Sequence, residues 1–318
     1  MKEGVVIIGL GKHVQNKIIP AFNNLRIPIL GIVTKNIDIQ TDYPKYKDIN
    51  EIVKHNSNLK IFIAHEPKNH IKIINDLPRN KFSILLEKPA FISFKDLENN
   101  KNIFKIHEIT EAMMYRFGKS FVKTKNFFDC NKEFIKQIDL KFVLPISFEQ
   151  IKNNFRGHAS NKNNIIYEVG CYFYDFMWSL NLIPYNLQIK NIKYFSNKTL
   201  KKISASIYIA SNKFKFEINF CFGYGSRYEN SVLLKTSKQS LSLSPFFWGR
   251  KGKINSEEIV HEFKKNSSFL QSNLYEKQIK FWFYEKRLGL NNDLKNIERY
   301  RFVAENLNKL EKKVCENV

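Results

Sequence analysis

A glycine pair, a lysine set before a proline and a tyrosine three residues from an aspartate are the places in this 318-residue chain where residue type and spacing suggest chemistry. Gly9-Leu10-Gly11 ends the β-branched run VVIIG and precedes KHVQNKIIPAFNNL, in which Val14, Ile18, Ile19 and Phe22 recur at helical spacing. Such a strand–turn–helix cradles a phosphate. The first glycine permits the tight turn, the second lets backbone approach the oxygens, and the helix N-terminus favours negative charge. Val14 replaces the third glycine of the GxGxxG fingerprint, and an ordinary βα loop is the alternative. The next apolar run ends in Thr34-Lys35, where an NAD site usually carries a carboxylate for the ribose hydroxyls. A hydroxyl and a cation would suit a 2′-phosphate, though Lys35 also reads as one loop lysine among many. Lys88 follows the run FSILLE (82–87), at the strand end where doubly wound sheets bind ligands; Pro89 favours an extended Lys88. Tyr172 and Asp175 share a face of a helix expected over 164–181. Ile165, Val169 and Phe176 supply its packed side and leave Glu168, Tyr172 and Asp175 near the other.

The elements that must hold these residues alternate strand and helix. Apolar runs at 5–9, 27–33, 61–64 and 82–87 read as buried strands, and EITEAMMYRF (108–117) as a further one. Helices are expected after Gly11, near 48–56 where Asp48 and Glu51 form a capping box, at 70–77 and at 94–100. This alternation predicts an α/β Rossmann domain over 1–118, a doubly wound parallel sheet. Beyond it, IDLKFVL, LQIKNIKYF, SASIYIA, FKFEINFCF, NSVLLKT and SLSLSPFF read as strands. They predict an α+β domain over 119–318, a mostly antiparallel sheet with helices on one face, closed by two helices at about 267–289 and 293–314.

Composition excludes several classes. A hydrophobic fraction of 43% and a charged fraction of 26% describe a globular protein, and no apolar run reaches the ~18 residues a membrane span needs. The net charge of +22 invites a nucleic-acid reading, but it comes from 43 Lys against only 9 Arg, beside 36 Asn and 28 Phe. These are residues of A/T-rich codons, the lysines are dispersed, and base readout leans on arginine. No nucleic-acid or membrane partner is expected; anionic small molecules would be attracted. Cys130, Cys171, Cys221 and Cys315 are scattered, as in a reducing compartment, and MKEGVVIIGLG shows no export signal, so a cytoplasmic location is expected. No cluster of His, Cys, Asp and Glu suggests a metal.

Five fragments in order resemble the Gfo/Idh/MocA oxidoreductases. KIIPAFNNL resembles that family's first helix, IFIAHEPKNH its strand and Pro-x-x-His loop (Pro67, His70), and LLEKPA its Glu-Lys-Pro motif. MMYRF resembles the strand closing the nucleotide domain, and YEVGCYFYD (167–175) the Asp-x-Gly-x-His-x-x-Asp helix. Glu168 replaces the usual Asp, Lys162-Asn163-Asn164 replace the preceding glycines, and Tyr172 stands where many members have His. Tyr at that place, with FCFGYGSRYENSVLLKTSKQSLSLSPFF (220–247), resembles the branch of nucleotide-sugar ketoreductases and dihydrodiol dehydrogenases.

The resemblance implies a nicotinamide cofactor held by Gly9, Gly11, Lys12 and His13, by Thr34 and Lys35, by Ala64 and His65, and by Glu87, Lys88 and Arg116. It implies that Lys88 and Tyr172 are catalytic, and that Arg156, Glu168, Asp175 and Tyr228 join them against the substrate. The chemistry is consistent. Hydride transfer to a ketone builds charge on oxygen, a phenol can supply the proton, and an ammonium nearby would lower the phenol pKa. The expectation is an NADP(H)- rather than NAD(H)-dependent ketoreductase of a nucleotide-linked keto-sugar, forming a homodimer or homotetramer through the second sheet. An aldose or dihydrodiol dehydrogenase and a noncatalytic dinucleotide-binding regulator are the alternatives.

Overall fold

In a parallel sheet covered on both faces, successive side chains of each strand enter different cores, so the strands read as unbroken apolar runs. The computed structural model describes residues 3–35, 38–53, 59–146, 164–182, 188–196, 201–210, 215–261, 263–284 and 296–316. Its first elements are β1 (Gly4–Ile8), a π-helical stretch (Val14–Ile18) running into α1 (Ile19–Asn24), β2 (Ile29–Val33), β3 (Lys45–Tyr46) and α2 (Asn50–Val53). There follow β4 (Leu59–Ile63), α3 (His70–Asn75), β5 (Ser83–Leu86), α4 (Phe94–Asn99), α5 (Ile103–Ile106) and β6 (Glu108–Glu111). The strands pair in the order β3-β2-β1-β4-β5-β6, all parallel.

Val6, Ile8, Ile61, Ile63, Ile84 and Leu86 enter one core with Ile52, Ile74 and Leu97 from the helices. Val5, Ile7, Phe62 and Leu85 enter the other with Val14, Ile18 and Phe22, and with Trp282 and Phe283 from far along the chain. Burying one such side chain contributes roughly 1.5–3 kcal/mol. The capping box forms as expected: the Asp48 carboxylate accepts the Asn50 amide at 2.8 Å, and Glu51 Oε1 accepts the Asp48 amide at 3.1 Å. The strand expected over 108–117 is shorter. It stops at Glu111, where the Met113 amide bonds back to the Glu111 carbonyl at 3.0 Å, and Met114–Phe117 is a 3₁₀ turn.

The second sheet follows α6 (Lys119–Asn131) and begins with β7 (Ile135–Leu144). After α7 (Asn164–Ser179) come β8 (Gln188–Ser196), β9 (Lys201–Ala210), β10 (Lys215–Tyr224), β11 (Glu229–Thr236) and β12 (Gln239–Ser244). β13 (Gly252–Val260) and β14 (Phe263–Gln271) complete it, in the order β14-β13-β12-β11-β7-β10-β9-β8, and the last helices are α8 (Leu274–Tyr284) and α9 (Ile297–Glu316). Only β7 with β10 is parallel among the described pairs. In β10, Phe216, Ile218 and Phe220 are buried while Lys215 is exposed, the alternation expected of a strand with one covered face. The helix expected from 267 begins only at Leu274, because Phe263–Gln271 pairs along the whole of β13.

Two compact units result. One comprises Met1–Met114 with Tyr275–Ala304, the other Tyr115–Leu274 with Glu305–Val318.

Candidate active site

In the first unit the strand order reverses between β1 and β4, and the crevice outside their carboxyl ends is where such sheets bind ligands. Gly9 has φ +102°, and a Cβ there would stand 2.4 Å from the Ala64 carbonyl oxygen. Only glycine allows the two strand ends to come so close. Around Gly11 the situation is opposite: no atom lies within 4 Å of where its Cβ would be. The first donor of the following helix is the Gln15 amide, bonded to the Gly11 carbonyl at 3.1 Å. The amides before it, including those of Lys12 and His13, are those a helix start leaves for a ligand. An open, side-chain-free approach to a helix start fits a dinucleotide pyrophosphate.

The neighbouring loops carry the other expected cofactor residues. Thr34 and Lys35 follow β2 without a carboxylate; the Thr34 amide bonds to the Tyr46 carbonyl at 3.0 Å, and Lys35 is exposed. After β4, His65 Nδ1 accepts the Glu66 amide at 2.9 Å and faces the Asn69 amide nitrogen at 3.0 Å, which assigns the ring proton to Nε2. Burial lowers the His65 pKa; Glu66 opposes this, while the cations Lys35 and Lys68 add to it. After β5, Glu87 Oε1 pairs with His13 Nε2 at 3.2 Å. Burial pushes the Glu87 carboxyl up, but the charges and hydrogen bonds of His13 and Lys88 outweigh it and leave its pKa lowered.

Lys88 is half-buried; its amide bonds to Glu87 Oε2 at 3.2 Å, and the Lys88–Pro89 peptide is cis. The Ala90 amide donates to Glu111 Oε1 at 2.6 Å, and the Ala90 carbonyl lies 2.9 Å from His70 Nδ1. Glu111 in turn pairs with Arg299. Sequence reasoning missed Glu111 and Arg299, and read His70 only as part of a motif. A charged residue closing an apolar strand was the one available sign of Glu111.

The second unit holds the residues of α7. Tyr172 is 5% exposed, its ring 5.1 Å from Phe142, 5.5 Å from Phe247 and 5.8 Å from Tyr115 between centroids. The turn bearing Phe247 is fixed by Asn230, whose Oδ1 accepts the amides of Phe246 and Phe247 at 3.0 and 2.7 Å. Glu168 accepts the hydroxyl of Tyr224. Tyr228 is half-exposed beside Trp248, at 5.8 Å, and burial raises its pKa.

Asp175 was expected against the substrate and Arg116 against the cofactor. Both are buried and engage each other: Arg116 Nε and Nη2 donate to the two Asp175 oxygens at 2.8 Å, and Tyr115 donates at 2.7 Å. The cause is that α7 is covered nearly all round, so the face opposite Val169 and Phe176 meets protein as well. Arg156 lies outside the described residues. Among the described residues no group of three or more His, Cys, Asp or Glu comes together for a metal, and no helix is long and apolar enough to cross a membrane.

No protein-family model matches the chain, and no curated protein matches it by sequence. Solved structures do. KijD10, a 3-ketoreductase from Actinomadura kijaniata in complex with NADP and TDP-benzene, superposes with a TM-score of 0.74 at 11% identity, covering 97% of this chain and 96% of its own. The chain has a fold similar to that of KijD10. Its solved structures include variants in which a lysine or a tyrosine is replaced, one of which reaches a TM-score of 0.77 at 10% identity and 98% of each chain. A probable oxidoreductase, yhhX, superposes with a TM-score of 0.68 at 13% identity, covering 97% and 96%.

Proposed function

We propose that this protein is an oxidoreductase of the Gfo/Idh/MocA type that reduces a keto group on a nucleotide-linked sugar with NADPH. The observation that carries the reading is the cradle at Gly9–Gly11, built at the β1/β4 switch point of a fold shared over nearly the whole chain with a ketoreductase solved with NADP and TDP-benzene. The domain over 1–118 would bind the nucleotide and that over 119–318 the sugar.

Bound there, the reduced nicotinamide would supply a hydride to the carbonyl carbon. The chain's part is the oxygen. The Tyr172 hydroxyl gives its proton to the oxygen as charge develops, and the Lys88 ammonium stabilises that charge and the phenolate left behind. Gly11 admits the pyrophosphate, while Thr34 and Lys35 favour the 2′-phosphate. Glu168 and Tyr228 are the substrate contacts that keep accessible surface. Phe263 and Leu270, 82% and 70% exposed on β14, support assembly of copies through the second sheet. A cytoplasmic location completes the reading.

The test is the loss of reduced-nicotinamide absorbance on mixing the protein, NADPH and a panel of nucleotide-linked keto-sugars. Turnover only with free aldoses or dihydrodiols in the oxidative direction would select the dehydrogenase alternative. Tight NADPH binding with silence throughout would select the regulator, a reading that the near-complete enclosure of Tyr172 favours.

A further inference from the structure

We infer that Glu111 and His70 are positioning residues for Lys88, acting through the backbone of Ala90, with Arg299 supplying the counter-charge. The inference rests on the reading of Lys88 as the cation of the site. Ala90 is gripped at both of its backbone polar groups by side chains from other elements. Its N–H donates to Glu111 Oε1 at 2.6 Å, from the end of β6, and its carbonyl faces His70 Nδ1 at 2.9 Å, from the start of α3. The other ring nitrogen of His70 lies 3.0 Å from the His65 carbonyl, just after β4. One residue therefore ties together the carboxyl ends of β4, β5 and β6.

The grip reaches Lys88 with little slack. Between the Ala90 nitrogen and the Lys88 Cα lie two planar peptides and Pro89, whose ring locks φ, so ψ of Pro89 is the single soft torsion. Sheet packing alone does not call for these groups. Glu111 is 1% exposed and Arg299 fully buried, and desolvating such a pair is so costly that apolar residues of equal volume often stabilise as well or better. What the carboxylate adds is a short, charge-assisted bond of fixed direction to one amide.

Burial lowers the His70 pKa, so the ring is neutral and donates to one carbonyl at a time. The Glu111 contact is the firmer half of the grip, and the test centres on it.

Glu111→Leu removes the acceptor for the Ala90 amide, whereas Glu111→Gln keeps an oxygen there without the charge. The first readout needs no turnover: the rate at which acetic anhydride acylates Lys88 as a function of pH, followed by peptide mass spectrometry. The second is kcat with NADPH beside the Kd of NADPH. Glu111→Leu should alter the Lys88 acylation profile and lower kcat by roughly a hundredfold, the scale of a 1 Å misplacement, with cofactor Kd changed less than about twofold. Glu111→Gln should recover both to within about threefold although its Tm stays low. His70→Leu is expected to fall between the two, and serves alone if Glu111→Leu does not fold. Wild-type acylation of Lys88 in folded Glu111→Leu or His70→Leu, or a Glu111→Gln as impaired as Glu111→Leu, would overturn the inference. An altered acylation profile in a protein whose Lys88→Ala variant turns over normally would instead retain the grip and remove the catalytic role of Lys88.

Discussion

His13 Nε2 and Glu87 Oε1 stand 3.2 Å apart, joining the helix that follows the glycine turn to the residue that precedes Lys88. The contact fixes the start of that helix against the strand end that carries Lys88. His13→Ala should remove a partner that lowers the Glu87 pKa, which should therefore rise. Titration of Glu87 by carbon NMR in wild type and variant measures this; an unmoved pKa would separate the two residues functionally.

The glycine pair should split stability from binding. Gly9→Ala puts a methyl into the Ala64 carbonyl at a positive φ and should lower Tm markedly, the backbone strain alone costing about 1–2 kcal/mol. Gly11→Ala enters open space and should leave Tm within a degree or two of wild type, while weakening NADPH binding at least tenfold. Thermal melts and a fluorescence titration of each variant check both halves.

Lys35→Ala should weaken NADPH by roughly ten- to a hundredfold more than NADH, since a charge-assisted contact to the 2′-phosphate is worth about 1.5–3 kcal/mol. High salt should erode the wild-type preference because Lys35 is exposed. Equal losses for the two cofactors would make Lys35 an ordinary loop lysine.

Tyr172→Phe and Lys88→Ala should each reduce turnover by about 10²–10⁴-fold with cofactor binding retained. The double variant should be little worse than the poorer single one, as the proposed shared role at one oxygen requires. Wild-type-like rates in Tyr172→Phe would remove it as proton donor. Asp175→Asn, by contrast, should act on stability, breaking a buried pair at a cost of about 3–5 kcal/mol.

Acid should loosen the fold in two stages. His65, His70 and His107 all have pKa values lowered by burial, so the free chain takes up protons before the folded one does. Their contribution is complete above about pH 6.5 and is lost as pH falls below it toward the lowered folded values. Glu87, also lowered, contributes above the ordinary carboxylate range and is lost in stronger acid. Tm should therefore decline between pH 7.5 and 5.5, and His107→Gln, which cannot titrate, should flatten part of that slope.

The strands of the first sheet were legible because burial on both faces demands apolar runs, and the glycine turn because φ and close approach exclude other residues at Gly9. Tyr172 and Lys88 were singled out through motif order, and the structure places them on α7 and at the end of β5. The burial of Asp175 was not, since a three-residue spacing shows a shared face without showing what covers it. Glu111 with Arg299, 188 residues apart, leaves no local pattern at all. β13 and β14 escaped notice because residues such as Lys264, Lys265 and Asn266 sit exposed and polar on a strand held by its hairpin partner.

The first unit joins Met1–Met114 to the late segment Tyr275–Ala304, and this bears on synthesis. Val5, Ile7, Phe62 and Leu85 are covered in part by Ile279, Trp282 and Phe283, which emerge from a ribosome more than 160 residues after β6. Until then this face of the nascent parallel sheet has only the early residues such as Val14, Ile18 and Phe22 to cover it, while the whole second sheet is made in the interval. Translation thus imposes a waiting period on the first unit, and a chain released before Phe283 would carry an adhesive apolar surface that chaperones should recognise.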